Sequence, residues 1–153
     1  MKDEYSESVT INRANLMDLP NVLVLLYKCN LPKEGLANHL SRTLVARSGD
    51  RVVGCSPLEL YEECALLRSV AVEPSFRGHG LALRLTRAAL DLAKHHQVTT
   101  VYLLTETASM LFSKLGFEEV SRSDVPKEVQ GSIEFVSLCP DTATVMKISL
   151  KER

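Results

Sequence analysis

The stretch FRGHGLALRL, residues 76–85, joins an apolar segment to the start of an amphipathic helix. Gly78 and Gly80 stand two positions apart in it, and glycine lets backbone amides come close to a ligand. The amides of a helix's first turn have no partner within the helix, and the helix dipole adds positive potential there. Arg77 adds a fixed positive charge. The stretch therefore predicts either a loop that binds phosphate or pyrophosphate, or only a tight turn between two elements.

Two common phosphate-binding motifs are excluded by the same residues. The pattern G-x-x-x-x-G-K-[ST] does not occur in the chain. The pattern G-x-G-x-x-G fails because Leu83 holds the third glycine position. A glycine pair alone therefore leaves the choice between loop and turn open.

The apolar periodicity around this stretch predicts one α/β domain over residues 1–153, with helices on both faces of a mixed sheet. Ser48-Gly49-Asp50 separates two β-rich runs and predicts a hairpin, while Pro20 marks the start of a first helix. Strands are expected at 8–14, on both sides of the hairpin turn, and at 64–72, 99–105, 117–122 and 142–150. Helices are expected at 15–29, within 31–40, and at 80–97, 107–115 and 123–130.

Composition limits the partners that we expect. The chain has 153 residues, of which 45% are hydrophobic and 24% charged, with a net charge of −1, so it lacks the basic field of a nucleic-acid-binding protein. No apolar run reaches the roughly 18 residues that span a membrane, and residues 1–10 lack the apolar core of a signal peptide. We therefore expect a cytoplasmic protein. None of the cysteines has C-x-x-C spacing, so we expect thiols and no metal site at Cys29, Cys55, Cys64 and Cys139.

Two blocks of the sequence resemble the GNAT N-acetyltransferases. VAVEPSFRGHGLALRL, residues 70–85, is similar to their cofactor motif Q/R-x-x-G-x-G/A, with Arg77, Gly80 and Ala82 at its specified positions. LLTETASMLFSKLGFEEV, residues 103–120, resembles the later part of the family core. The resemblance implies a GNAT fold, with a mostly antiparallel mixed sheet and a splayed central strand pair. ALLRSVAV, YLLTETA and EFVSLCP further resemble a subgroup found with arsenic-resistance functions and related to amino-acid and phosphinothricin acetyltransferases.

The resemblance implies acetyl-CoA as co-substrate. Amides of residues 77–82, here called the glycine loop, would hold its pyrophosphate, and the edge of the 64–72 strand, at residues 70–72, would pair with its pantetheine arm. The His79 side chain is expected in solvent, and Lys114 has a second interpretation as a solvated helix residue. The residues assigned to the cofactor are Val70, Ala71, Val72, Arg77, Gly78, His79, Gly80, Leu81, Ala82, Thr105, Phe112 and Lys114.

The chain departs from the family at the usual acid and base. Phe112 stands where many relatives carry a tyrosine that protonates the leaving thiolate, and Leu66 or Leu67 stands where many carry a glutamate base. A free α-amino group has a pKa of about 7.7–8.0, so part of it is already neutral near pH 7. Positioning this neutral amine against the thioester can then supply most of the rate. A water chain to a carboxylate can complete deprotonation. The candidate carboxylates, each of which can also be a plain surface residue, are Glu63, Glu106 and the favoured Glu134.

Arg68 interrupts an otherwise apolar strand, and a buried arginine is costly unless it is paired. By the resemblance it faces the acceptor, where it can bind a carboxylate in bidentate fashion. The alternative is an internal ion pair with Glu63 or Glu134. Ser69 either orients the acceptor or a water, or satisfies backbone groups. We assign Arg68, Ser69 and Glu134 to the acceptor, and Ser69 and Glu134 also to catalysis.

The sequence thus predicts an acetyl-CoA-dependent N-acetyltransferase that transfers directly to a small amine, such as an amino acid or its analogue. One alternative acceptor is a protein N-terminus or lysine. From another class, the missing tyrosine and glutamate favour a catalytically weak sensor of acyl-CoA. Many members of the resembled family pair through late strands, which leaves both a monomer and a homodimer open for this chain.

Overall fold

A computed structural model of the chain describes residues 9–68, 70–132 and 143–150. Two compact units are distinguished by their internal contacts. Among the described residues, the first unit comprises 9–57 and 70–89, and the second comprises 58–68, 90–132 and 143–150. Strand β3 and helix α2, defined below, each contribute residues to both units.

The first unit is built on four strands, β1 (Val9–Arg13), β2 (Thr43–Ser48), the first part of β3 (Arg51–Tyr61) and β5 (Ala71–Val72). β2 pairs antiparallel with β1 and β3, and β5 pairs antiparallel with β3. The predicted hairpin joins β2 to β3 at Gly49, whose φ of 61° suits the turn. The predicted turn is therefore confirmed.

Helices cover both faces of this first set of strands. Helix α1 (Leu19–Lys28) has Pro20 in its first turn, as predicted, and packs Val22, Leu25 and Leu26 in one cluster with Val45 and Cys55. The next residues along the two strands, which point to the opposite face, are Ala46 and Gly54. That face is covered by the start of helix α2 (Leu81–His95), whose Leu81 and Leu85 cluster with Ala46.

The second unit continues from β3 through β4 (Cys64–Leu67), β6 (Thr100–Thr105), β8 (Thr144–Ser149) and β7 (Glu118–Val120), paired in that order. The β4–β6 pairing is parallel, and the other described pairings are antiparallel. The short helices of this unit are α3 (Ser109–Lys114) and α4 (Lys127–Gln130). On one face, Leu66, Tyr102, Val129 and Val145 belong to a single hydrophobic cluster.

The predicted α/β architecture with a mixed sheet is present, and several boundaries change. Residues 64–72 form two strands, since β4 ends at Leu67 and β5 begins at Ala71. They pair with different stretches of β3, 58–61 and 54–55. Of these two described strands, only β4 pairs with β6. The helix expected within 31–40 is a 3-10 helix at Leu36–Arg42, and the helix expected at 123–130 is a 3-10 turn at Arg122–Asp124 followed by α4 at Lys127–Gln130.

Gly54 lets helix α2 approach β3 closely. A Cβ atom at this position would lie 2.8 Å from Leu85 Cδ1 and 3.2 Å from the Ala71 carbonyl oxygen. Real Cβ atoms do not approach other atoms at 2.8 Å, so the terminal methyl of Leu85 would have to move, and the Ala71 carbonyl would be in tighter contact than usual. The absence of a side chain at Gly54 therefore leaves room for the close packing of Leu85 of α2 on β3.

We expect Gly54→Ala to lower the free energy of unfolding by about 1–3 kcal/mol, because the added methyl overpacks the contact with Leu85. Urea denaturation followed by circular dichroism measures the change. The matched control is Gly131→Ala, where the nearest atoms would lie at 3.6 Å and 3.7 Å and φ is −78°. Equal stability losses in the two variants would contradict the close-approach interpretation.

Candidate active site

The glycine loop lies directly before helix α2 in the first unit. Gly78 and Gly80 have φ values of 85° and 80°, a conformation that favours glycine, and a Cβ at either position would meet nothing within 4 Å. The glycines therefore serve the backbone path and leave open space above the loop. The first intrahelical bond runs from the Arg84 amide to the Gly80 carbonyl. The amides of Leu81 and Ala82 thus belong to the first turn, where no helical acceptor exists.

An anion of the pyrophosphate class fits this geometry. The open space lies at the positive end of a 15-residue helix, where unpaired first-turn amides bind phosphate groups. The side chains of Arg77 and His79 are exposed at the same loop. The Arg77 amide itself is used internally, since it donates to the Pro74 carbonyl at 3.3 Å.

Glu73 anchors the chain just before the loop. Its carboxylate accepts hydrogen bonds from Lys28 Nζ at 2.8 Å and from the Ser75 amide at 3.0 Å, and Arg51 lies at 3.9 Å. The Glu73 amide donates to the Val53 carbonyl at 2.8 Å. The Lys28 ammonium and the Ser75 donors lower the pKa of Glu73 to about 2. This carboxylate therefore ties α1 and β3 to the entry of the loop.

The Arg77 side chain folds back onto β5. Its Nε donates to the Val72 carbonyl at 3.0 Å, and its terminal nitrogen lies 3.3 Å from Cys29 Sγ. The Cys29 thiol also reaches the Val72 carbonyl, at 3.6 Å. Arg77 thus braces the loop against β5 in this structure. Its predicted contact with the cofactor stays a prediction.

Strand β5 provides part of the predicted pantetheine edge. Ala71 and Val72 pair with Cys55 and Gly54 of β3, and no other described strand pairs with β5. Val70 lies outside the strand and is half-buried. The far edge of β5 is therefore free of strand partners among the described residues, although the Val72 carbonyl accepts from side chains.

Three cofactor candidates lie in the second unit, around helix α3. Thr105 Oγ1 accepts a hydrogen bond from the Ala108 amide at 2.9 Å and so shapes the entry to α3. Phe112 is buried, with its ring centroid 5.7 Å from that of Phe117 in an edge-to-face arrangement. Lys114 ends α3 with an exposed side chain. Packing accounts for Phe112, and the cofactor roles of all three stay predictions.

The second unit also contains a buried ion pair of Arg68, whose partner differs from the two predicted carboxylates. Arg68 has a fully enclosed side chain, and its terminal nitrogen donates to Glu59 Oε2 at 2.9 Å. The predicted alternative, an internal ion pair, is thus present, but with Glu59 in place of Glu63 or Glu134. Glu63 and Glu106 are exposed, and the predicted acceptor residues Ser69 and Glu134 lie outside the described residues.

Glu59 has a second partner, Tyr61. The Tyr61 hydroxyl donates to Glu59 Oε1 at 2.5 Å, so each carboxylate oxygen has its own donor. Ser132 hydrogen-bonds the Tyr61 hydroxyl in turn. Burial and the bond to Glu59 raise the pKa of Tyr61 above its ordinary value. The four side chains form one chain of hydrogen bonds from Ser132 to Arg68.

The register of β3 and β4 explains how Glu59 could have been found. A two-residue turn at Glu62 and Glu63 pairs Tyr61 with Cys64 and places Glu59 directly opposite Leu66. Leu66 is one of the two positions at which the family resemblance expects a glutamate. The signal in the sequence was a single carboxylate between two leucines in LEL, residues 58–60, followed by a short turn.

A separate cavity of about 330 Å³ opens beside α1 in the first unit. Its lining includes Val24, Lys28, Arg51, Val52 and Glu73. The side chains of Lys28 and Arg51 are each about half exposed, and both are near the Glu73 carboxylate. The cavity thus borders the anchor of the glycine loop.

Two further properties concern the described ranges 9–68, 70–132 and 143–150. Within them, no group of three or more His, Cys, Asp or Glu side chains is arranged to hold a metal ion. None of their helices combines the length and the apolar character needed to cross a membrane.

We expect Glu73→Gln to lower the free energy of unfolding by about 1–3 kcal/mol at pH 7, because hydrogen bonds to a charged group are lost. The wild-type pKa of about 2 lies below the ordinary 4.5, so this stabilisation is full above pH 4.5 and disappears as the pH falls toward 2. Urea denaturation at pH 7 and pH 3 measures it. The exposed Glu119→Gln is the control, and a wild-type advantage that grows at pH 3 would contradict the assignment.

Comparison with known proteins shows what this arrangement resembles. The chain is 23% identical over 128 residues to the amino-acid acetyltransferase of Neisseria meningitidis serogroup A, a match that covers 78% of this chain and 29% of that protein. It is 34% identical over 80 residues to the amino-acid acetyltransferase of Mycobacterium tuberculosis, covering 52% and 45%. The chain thus spans less than half the length of these two curated relatives.

A solved structure and a family model also match this chain. The crystal structure of Rv2747 from Mycobacterium tuberculosis in complex with CoA and NLQ superposes with a TM-score of 0.79 at 25% identity, covering 93% of this chain and 99% of that one. Residues 16–117, which include the glycine loop and residues of both units, match the model of the acetyltransferase (GNAT) family. The predicted family resemblance is confirmed, and this chain belongs to the acetyltransferase (GNAT) family.

Proposed function

We propose that the chain is an N-acetyltransferase that transfers the acetyl group of acetyl-CoA to the amine of a small, amino-acid-like acceptor. The observation that carries the proposal is the open glycine loop at the start of α2, with first-turn amides available to a pyrophosphate. Membership of the GNAT family supports the reaction class. The presence of CoA in the Rv2747 complex supports the co-substrate.

The loop and β5 divide the binding of the co-substrate between them. Amides at residues 78–82 would hold the pyrophosphate, and the free edge of β5 would pair with the amide groups of the pantetheine arm. An amide near Val70 would polarise the thioester carbonyl, as a backbone donor does in an oxyanion hole. Glu73 and Arg77 hold the loop in place for this binding.

The acceptor class rests on two kinds of support. The two curated relatives are named amino-acid acetyltransferases, and the notable polar cluster of the second unit contains an arginine. Arg68 is paired with Glu59, so an acceptor carboxylate would bind it only by sharing the guanidinium with Glu59. We retain Ser69 and Glu134 as proposed acceptor residues on the sequence pattern alone. A role in arsenic resistance is likewise proposed from that pattern alone.

The test of the proposal measures binding and transfer separately. Isothermal titration with CoA gives the affinity, and release of free thiol from acetyl-CoA gives the transfer rate with L-glutamate, L-glutamine, L-aspartate, L-methionine, phosphinothricin or a lysine-containing peptide. We expect thiol release with at least one free amino acid. Release with the peptide alone supports a protein acetyltransferase, and tight binding without release on any amine supports an acyl-CoA sensor. No binding of CoA would overturn all three functions.

We expect Gly80→Val to weaken CoA binding by at least about 100-fold, because a β-branched residue cannot hold a φ of 80° and its side chain enters the open space above the loop. Isothermal titration measures the change. Gly49→Val provides a matched control, since Gly49 also has a positive φ of 61° but lies in the β2–β3 turn. CoA affinity within threefold of wild type in a folded Gly80→Val protein would refute the loop assignment.

A further inference from the structure

The chain of hydrogen bonds around Glu59 has the form of a proton relay. Glu59 Oε2 is held by Arg68, and this fixes the carboxylate so that Oε1 points at the Tyr61 hydroxyl. The Glu59 side chain is 1% exposed, whereas Tyr61 is half-buried. Tyr61 is therefore the group through which the enclosed carboxylate can exchange a proton with solvent or a substrate.

Burial of this cluster is costly for stability alone. Removing two charges from water costs free energy, which their mutual attraction and further hydrogen bonds must offset. An apolar pair of similar volume often gives a protein of equal or greater stability. Here the Glu59 side chain is 1% exposed and lies opposite Leu66, which is fully buried. A tyrosine whose hydroxyl contacts both a carboxylate and the Ser132 side chain is more than an isolated ion pair requires.

We propose that Tyr61 and Glu59 form the proton acceptor of the transfer reaction, with Arg68 as a positioning residue that fixes the Glu59 carboxylate. The inference rests on the proposed acetyltransferase function. It places the carboxylate on β3, opposite Leu66 of β4. Glu59 thereby supplies the base that neither Leu66 nor Leu67 can supply.

In the proposed reaction, one proton moves from the acceptor nitrogen through Tyr61 to Glu59. The amine lone pair forms the C–N bond with the acetyl carbonyl carbon, and the C–S bond breaks with its electron pair on sulfur. The nitrogen, positively charged after attack, gives a proton to the Tyr61 oxygen while the Tyr61 proton passes to Glu59 Oε1. Tyr61 stays neutral throughout, and Glu59 returns the proton through Tyr61 to the thiolate or to water.

The pairing with Arg68 limits which proton Glu59 can accept. A carboxylate next to a guanidinium is a weak base, because the positive charge favours its ionised form. Such a base suits the nitrogen after attack, which is far more acidic than a free ammonium group. The acceptor therefore has to arrive as a neutral amine, and the neutral share of an amino group grows as the pH rises toward its pKa.

The principal test variant is Tyr61→Phe, which breaks the relay and leaves the Glu59–Arg68 ion pair intact. We expect a fall in kcat of about 100-fold or more at pH 7 on the best amino acid of the panel, with CoA affinity unchanged. The ratio of wild-type to variant kcat should fall as pH rises from 6.5 to 9, since hydroxide takes over the deprotonation. The titratable groups that act on Tyr61 are Glu59 and Arg68, and Tyr61 packs against the hydrophobic cluster that contains Cys64 and Tyr102.

A matched control and a second variant separate chemistry from structure. Tyr102→Phe removes a hydroxyl from the same hydrophobic cluster, outside the described hydrogen bonds of Glu59, and should keep kcat within threefold of wild type. The double variant Glu59→Gln/Arg68→Met removes the relay without leaving an unpaired buried charge. It should match Tyr61→Phe in kcat, and adding Tyr61→Phe to it should cause no further loss, because the groups act as one unit.

Each outcome bears on one of the two proposals. If kcat of Tyr61→Phe stays within threefold of wild type, or if the kcat ratio is independent of pH, the relay is overturned and the proposed function stands. If wild type binds CoA but transfers to none of the amines, the relay is overturned and the sensor function is supported. If wild type binds no CoA, the proposed acetyltransferase function is overturned, and the relay that rests on it is overturned as well. A pH-dependent loss of kcat in Tyr61→Phe, with the kcat of Tyr102→Phe within threefold of wild type, supports the relay.

Discussion

Helix α2 packs closely against β3 at Gly54, which has no side chain. The Leu85 methyl group occupies the space that a Cβ would take, and the Ala71 carbonyl closes the other side. This contact fixes the position of the helix along the strand, and with it the place where the first-turn amides emerge. An anion site made of backbone amides has no side chain to adjust its reach, so it depends on the seating of the helix.

Side chains then hold the chain that enters the helix. Glu73 joins α1, the Ser75 turn and β3, while Arg77 ties the loop to the end of β5. These are charged groups used for positioning, at distances of 2.8 to 3.0 Å. The loop itself stays open and exposed. A rigid frame around an open backbone is the arrangement that lets amides bind phosphate without first having to reorganise.

Sequence patterns predicted the frame of this protein better than its polar interior. The hairpin at Gly49, the start of α1 at Pro20 and the glycine loop follow from local residue preferences, which act over a few positions. The division of 64–72 into β4 and β5 depends on pairing with β3, which no local pattern encodes. The loop and family were found from two blocks of sequence, whereas the Glu59–Arg68 pair depends on strand register.

The need for a partner of Arg68 could be predicted from the sequence, but the identity of that partner could not. A buried arginine requires a carboxylate, and the sequence pattern offered Glu63 or Glu134. Glu59 was reached only once the turn after Tyr61 set the cross-strand alignment, and Tyr61 then followed because residues two apart share a face. Chemistry predicted that a partner exists, and topology decided which residue it is.

The shortness of β5 has a consequence for self-association. An unpaired strand edge can recruit the same edge of another molecule and start an aggregate. β5 offers two residues, and Arg77 and Cys29 already occupy the carbonyl of the second. Glu73-Pro74 ends the strand directly afterwards, and proline has no amide proton to continue a ladder. The edge is thus long enough for a small ligand's amides and too short to template a second polypeptide.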